Sequence, residues 1–266
     1  MSQPDSDRRV VIVLLALLVL GLLGMVLFAH GIWVKGAMGL SNLMLVAVAL
    51  GHAGYLLGWR RALVFFGMAF CLSWAAESLS IATGLAGPYH YTAAMGPRLG
   101  QVPWVVPLGW SAMIYNSHLI ANLMAEGRPF SRHRQGVWLV GLALLTALIM
   151  TAWDLTLDPY MVTTGHAWVW EQGGPYFGIP TANYLSWLET VFLIGLALRL
   201  VEPNLPWPRR ERTGALVLAM PVLGYGIVGL ADLWVGEPLA TRVLSPFAMG
   251  IPVLAALGRL RHREAA

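Results

Sequence analysis

The chain has 266 residues, 58% of them hydrophobic and 11% charged, with a mean hydropathy of +0.66. A soluble domain carries roughly 25% charged residues, and a globule of this length could not cover its surface with so few. The single cysteine, Cys71, excludes a disulfide framework and a cysteine-based metal site, and the net charge of +4 finds its explanation in topology.

A helix needs about 20 apolar residues to cross a hydrocarbon core of ~30 Å. Taken in chain order, eight stretches qualify: 10–29, 37–57, 62–83, 103–124, 136–157, 180–201, 214–235 and 240–258. Lipid offers the backbone no hydrogen-bond partner, so these runs are expected to be helices. The first is too long for the apolar core of a signal peptide and lacks a small-x-small cleavage site. It reads as an anchor, with Arg8 and Arg9 as flanking charges rather than a twin-arginine signal. Arg8, Arg9, Arg60, Arg61, Arg128, Arg132, Arg134, Arg199, Arg209, Arg210, Arg212, Arg259, Arg261 and Arg263 fall on one side of these spans, against Lys35, Arg98 and Arg242 on the other. Fourteen against three, in strict alternation, is the positive-inside pattern. The expectation is therefore an all-α integral membrane protein, one polytopic domain over residues 1–266. It is a bundle of about eight transmembrane helices with both termini cytoplasmic, multi-pass in the cell's inner membrane. The bilayer is its partner, and no nucleic acid is needed to explain the arginines.

Two outward segments, 84–102 and 158–179, are long and rich in glycine and aromatic residues. Trp104, Trp168, Trp170 and Trp187 suit an interfacial belt. Each segment contains Gly-Pro-Tyr, at Gly87-Pro88-Tyr89 and Gly174-Pro175-Tyr176, which hints at a duplicated hairpin over 62–124 and 136–201.

An ionisable group inside a span costs on the order of 3 kcal/mol and is functional by default. Projected at 1.5 Å per residue, Glu77 falls on the outer half of span three. Asp154 and Asp158 fall at the outer end of span five, Glu189 near the middle of span six, and Asp232 near the outer end of span seven. Five acids from four helices share the outer half, with Arg242 the nearest cation. Asp154 and Asp158 lie one turn apart on one helix face. Two such carboxyls in low dielectric resist joint ionisation, and a carboxylic acid that keeps its proton near neutral pH can serve as a general acid. The competing reading for Asp158 is that, followed by Pro159, it simply ends the helix at the interface. Asn183 could hold a water; Asn116 could equally be interhelical glue. His52 and His118 share a depth, as b-type haem ligands would, although hydrogen-bonded packing is the commoner reason for such a pair.

Several chemistries lack their signatures. Gly224-Tyr225-Gly226-Ile227-Val228-Gly229 matches a dinucleotide fingerprint, but it lies inside a span without the required strand, so close helix packing is expected. The seven histidines form no HxxH or HxxxH pair, and the sole lysine, Lys35, sits in a loop or at a span edge. Asp154-x-x-x-Asp158 is not accompanied by the second acidic motif and the cations that hold a magnesium diphosphate. Acid chemistry on an apolar substrate, with no cofactor and no metal, is what remains.

Ala76-Glu77, Gly87-Pro88-Tyr89-His90-Tyr91 and the run Val102 to Trp110 resemble a family of membrane proteins, as do Thr151 to Pro159, Trp168-Val169-Trp170 and Tyr176 to Tyr184. This is the prokaryotic carotenoid biosynthesis family that includes the carotenoid 1',2'-hydratases and bisanhydrobacterioruberin hydratase; the resemblance covers about residues 70–200. It implies addition of water to the terminal double bond of an acyclic carotenoid or other polyprenyl end. Protonation of the less substituted carbon leaves a tertiary cation, which aromatic faces and carboxylates stabilise until water attacks. On this reading Asp154 donates the proton, Asp158 is its partner, and Glu77 activates the water. Asn183 orients that water, while Tyr89, Tyr91, Trp153 and Trp187 wall the cation and Trp104, Trp170 and Asp232 complete the substrate site. Glu189 is left outside, as a buried acid with no role. A terpene or carotenoid cyclase and a proton-coupled lipid transporter are the alternatives.

Overall fold

The computed structural model describes residues 3–29, 37–133, 136–207, 209–210 and 212–265, so Lys35 and Arg134 lie outside the described residues. In chain order the helices are α1 (Gln3–Ala29), α2 (Ala37–Leu57), α3 (Trp59–Thr83), α4 (Val105–Glu126), α5 (Gly136–Thr163), α6 (Thr181–Val201), α7 (Ala215–Val235), α8 (Ala240–Ala248) and α9 (Gly250–Ala265). The described residues also include two 3₁₀ turns, Ala93–Met95 and Glu202–Asn204, and two small antiparallel strand pairs. β1 (Tyr89–Tyr91) pairs with β4 (Trp168–Trp170), and β2 (Arg98–Leu99) with β3 (Val102–Pro103). The chain is a helical membrane protein. Among the described residues, five helices are long and apolar enough to cross a bilayer, over 59–83, 136–163, 181–204, 215–234 and 240–262.

Helix α4 is the axis of the bundle. From Trp110 to Leu123 every side chain except the half-buried His118 is buried, so Ser111, Asn116, Ser117 and Asn122 face protein rather than lipid. That enclosure is what makes so many polar residues tolerable at membrane depth. The last of these stretches, 240–262, is one apolar run made of two helices, α8 and α9, which meet at Met249. Pro252 has no N–H for the carbonyl of Ala248, nor Pro246 for that of Arg242, which breaks the ladder there.

Two other prolines lie inside helices, and each freed carbonyl is taken up from elsewhere. Pro221 in α7 leaves Val217 O without its helical donor, and His52 Nε2 on α2 donates to it at 2.9 Å. His52 Nδ1 in turn lies 2.7 Å from the Tyr115 hydroxyl. Both ring nitrogens are thereby committed, and His52 is a packing residue, while the His118 ring lies edge-on to Phe65. Pro159 likewise frees Leu155 O, and the Tyr176 hydroxyl donates to that carbonyl at 2.8 Å. The fingerprint glycines serve close packing: Cβ atoms on Gly224, Gly226 and Gly229 would lie 3.3 Å from Leu18, 3.4 Å from Val253 and 3.1 Å from Met249.

Two arginines counted as flanks are internal. Arg199 is 4% exposed and bonds Asn122 Oδ1, Thr146 Oγ1 and Leu142 O, tying α6 to α4 and α5. Arg61 is 7% exposed and holds Glu202 at 2.8 Å together with carbonyls of the 202–207 segment.

Candidate functional site

Each long segment supplies one strand, and the two strands pair over the helix ends: Tyr89 opposite Trp170, His90 opposite Val169, Tyr91 opposite Trp168. Successive strand side chains point to opposite faces, so Tyr89, Tyr91, Trp168 and Trp170 turn inward while His90 and Val169 face out. The inward rings meet across the pair, with Tyr89 and Trp170 centroids 4.6 Å apart and Tyr91 and Trp168 5.9 Å. The interfacial-belt expectation therefore fails for Trp168, Trp170 and Trp187, which line a cavity. The two Gly-Pro-Tyr runs have different tasks. Gly87 has φ +104°, open to glycine, and a Cβ there would come 2.8 Å from Pro180. Gly174 lets the chain cross itself, since its Cβ would fall 2.1 Å from the backbone of Ile179.

Beneath this cover the acids converge. The hydroxyls of Tyr89 and Tyr91 both donate to Glu77 Oε2, Tyr91 at 2.9 Å. Burial, and after it the Glu77 charge, pushes both phenols above their usual value, so they remain donors. Asn183 Nδ2 donates to Asp158 Oδ2. Asp158 is 2% exposed and does not end the helix: α5 runs on through Pro159 to Thr163. The Leu155 carbonyl is satisfied by Tyr176, whose own hydroxyl is pushed up to about 12 by burial and by the charges of Asp154 and Asp158. Asp154 is fully buried, neither of its carboxyl oxygens has a protein hydrogen-bond partner, and it feels the charges of both Asp158 and Glu77.

The cavity these residues enclose measures about 300 Å³. Of the residues expected from the sequence, Glu77, Asp158, Tyr89, Tyr91, Trp153, Trp170, Asn183, Trp187 and Asp232 line it. Asp154 and Trp104 do not; Asp154 sits one helical turn behind Asp158, and Trp104 stands 37% exposed at the start of α4. Asn116 is buried within α4 away from the lining.

Two readings are corrected. Glu189 is not a buried acid: it is exposed on the outer face of α6, one turn from exposed Leu185 and one turn from exposed Leu193. Axial projection gives depth but not azimuth, and the i, i+4 spacing to two lipid-facing leucines was the available clue. Arg242 is no counter-ion for the cluster either, being held by Glu237 at 3.0 Å and by Gly236 O outside the cavity. The sequence reading also passed over Trp110, Trp168 and Tyr160 as lining residues. Trp110 packs against Trp187 in a tilted contact with centroids 4.2 Å apart. It belongs to the quoted motif on α4, but nothing in its spacing separated it from core.

Among the described residues no group of three or more His, Cys, Asp or Glu is arranged to hold a metal ion. The arrangement is three carboxyls (Glu77, Asp158 and Asp232) on the wall of an otherwise aromatic and aliphatic chamber. It can deliver a proton, shield a cation and accept a proton from water. No curated protein and no solved structure matches the chain. The carotenoid biosynthesis protein family model matches residues 36–257, well beyond the stretch that carried the resemblance, and the chain belongs to that family.

Proposed function

We propose that the protein hydrates the terminal 1',2' double bond of an acyclic carotenoid, in the cell's inner membrane, without a cofactor. The observation that carries this reading is the pairing of Asp158 and Glu77 on the wall of one aromatic cavity, each with its own hydrogen-bond partners. A volume of about 300 Å³ lies at the low end of small-molecule pockets. It suits the end group of a long polyene whose remainder stays in lipid.

Asp158 faces the cavity and Asp154 does not, so we assign the delivering carboxyl to Asp158, with Asp154 one helical turn behind it. The π electrons of the terminal double bond take that proton at the less substituted carbon, and the charge develops on the tertiary carbon. Trp153 and Trp187, which meet edge-on with centroids 6.4 Å apart, both line the cavity and supply the aromatic rings that stabilise it. Glu77 receives two hydrogen bonds on Oε2, which leaves Oε1 for a water. As the water oxygen bonds to the cation, its proton passes to Glu77, and proton return to the aspartate pair closes the cycle.

The test is product mass. The chain expressed in a host that makes an acyclic carotenoid should add one water per reacted end, and Asp158→Asn should lose turnover by roughly 10²–10⁴-fold. An isomer of unchanged mass would mean that an internal double bond captures the cation, as in a cyclase. An unaltered substrate would leave proton-coupled transport.

A further inference from the structure

A second cavity, about 530 Å³, opens at the other end of α4, among the arginines. Its described walls carry Arg132, Arg199 and Arg209 against one acid, Glu202, a formal charge of +2 with histidines neutral. Glu202 makes its direct ion pairs with Arg61 at 2.8 Å and Arg209 at 3.1 Å, and it reaches Arg199, as Glu126 does, only through space. The Arg199 guanidinium, 4% exposed, reaches only neutral acceptors, and its Nε–H meets no protein acceptor at all. His118 Nδ1 on the same wall is also buried and without a partner. A buried guanidinium with no direct ion pair is costly, and its own idle Nε and the idle His118 Nδ1 are each able to donate to an anion. Neighbouring Asn122 fixes the geometry, its Oδ1 on Arg199 and its Nδ2 on Pro129 O.

We propose that this cavity is an anion site for a phosphate group, free or carried as a phospholipid headgroup, with Arg199 Nε and His118 Nδ1 as donors. The proposal does not depend on the hydratase reading, because the two cavities share no lining residue. The whole protein in neutral detergent is titrated with inorganic phosphate by calorimetry. In a second arm, retention of phosphatidylglycerol over phosphatidylcholine is measured by native mass spectrometry. Binding in the first arm identifies free phosphate and selective retention in the second identifies a headgroup. In either, Arg199→Gln should weaken binding by about tenfold or more, the worth of one charge-assisted hydrogen bond. Because Arg199 also ties three helices together, His118→Phe, which keeps the ring packing, is the second variant and should weaken binding without changing carotenoid turnover. A wild-type protein that neither takes up phosphate nor prefers phosphatidylglycerol overturns the proposal. So does binding that both variants leave intact.

Discussion

Replacing His52 by Phe should expose the use made of Pro221. The ring is fully buried and bridges two groups that are themselves buried, the Val217 carbonyl at 2.9 Å and the Tyr115 hydroxyl at 2.7 Å. Phenylalanine fills the space but makes neither bond. Each stranded polar group costs about 1–3 kcal/mol, so His52→Phe should destabilise by roughly 2–6 kcal/mol, less whatever the larger apolar ring recovers. Pro221→Ala restores an N–H one helical turn from Val217 O. In the His52→Phe background it should therefore return about 1–3 kcal/mol. In the wild type that N–H would compete with His52 for one oxygen and gain little. Unfolding of the four proteins in mixed micelles gives a double-mutant cycle whose coupling should approach that 1–3 kcal/mol. Strictly additive effects, within about 0.5 kcal/mol, would refute the assignment of His52 to the carbonyl that the proline frees.

The same device beside the acids predicts that Tyr176→Phe costs about 1 kcal/mol, at the lower end because Tyr176 is half-buried, and that Pro159→Ala recovers it; thermal unfolding of the pair checks this. Glu189→Gln should leave turnover within about twofold while Glu77→Gln lowers it by roughly 10²–10⁴-fold, since only Glu77 faces the cavity; pigment analysis by mass separates the two, and the reverse order would move the site to α6. Tyr89→Phe removes one of two hydrogen bonds to Glu77 Oε2 and should slow water capture by about tenfold, read as accumulation of eliminated or cyclised side product. Reporter fusions at Ala266 and near Gly173 should give opposite signals, cytoplasmic at Ala266; a cytoplasmic signal at Gly173 would invert the orientation derived from the arginines.

Hydropathy is a local property, and the helical class, the approximate helix bounds and the presence of costly acids near one end were all legible from it. Glu77, Asp158 and Asp232 stand out because an ionisable residue inside an apolar run carries its own penalty whatever surrounds it. The family, too, was carried by short contiguous motifs. Azimuth was not legible: Asp154 and Asp158 share a helix face, yet one lines the cavity and the other is sealed behind it, and Glu189 turns outward. Nor were partnerships between distant segments, such as His52 with Val217, Arg199 with Asn122 or Tyr89 opposite Trp170. A hydropathy scale assigns one number to a residue wherever it points. What a buried polar group costs depends on which partner the packed bundle brings to it, and that is decided only in three dimensions.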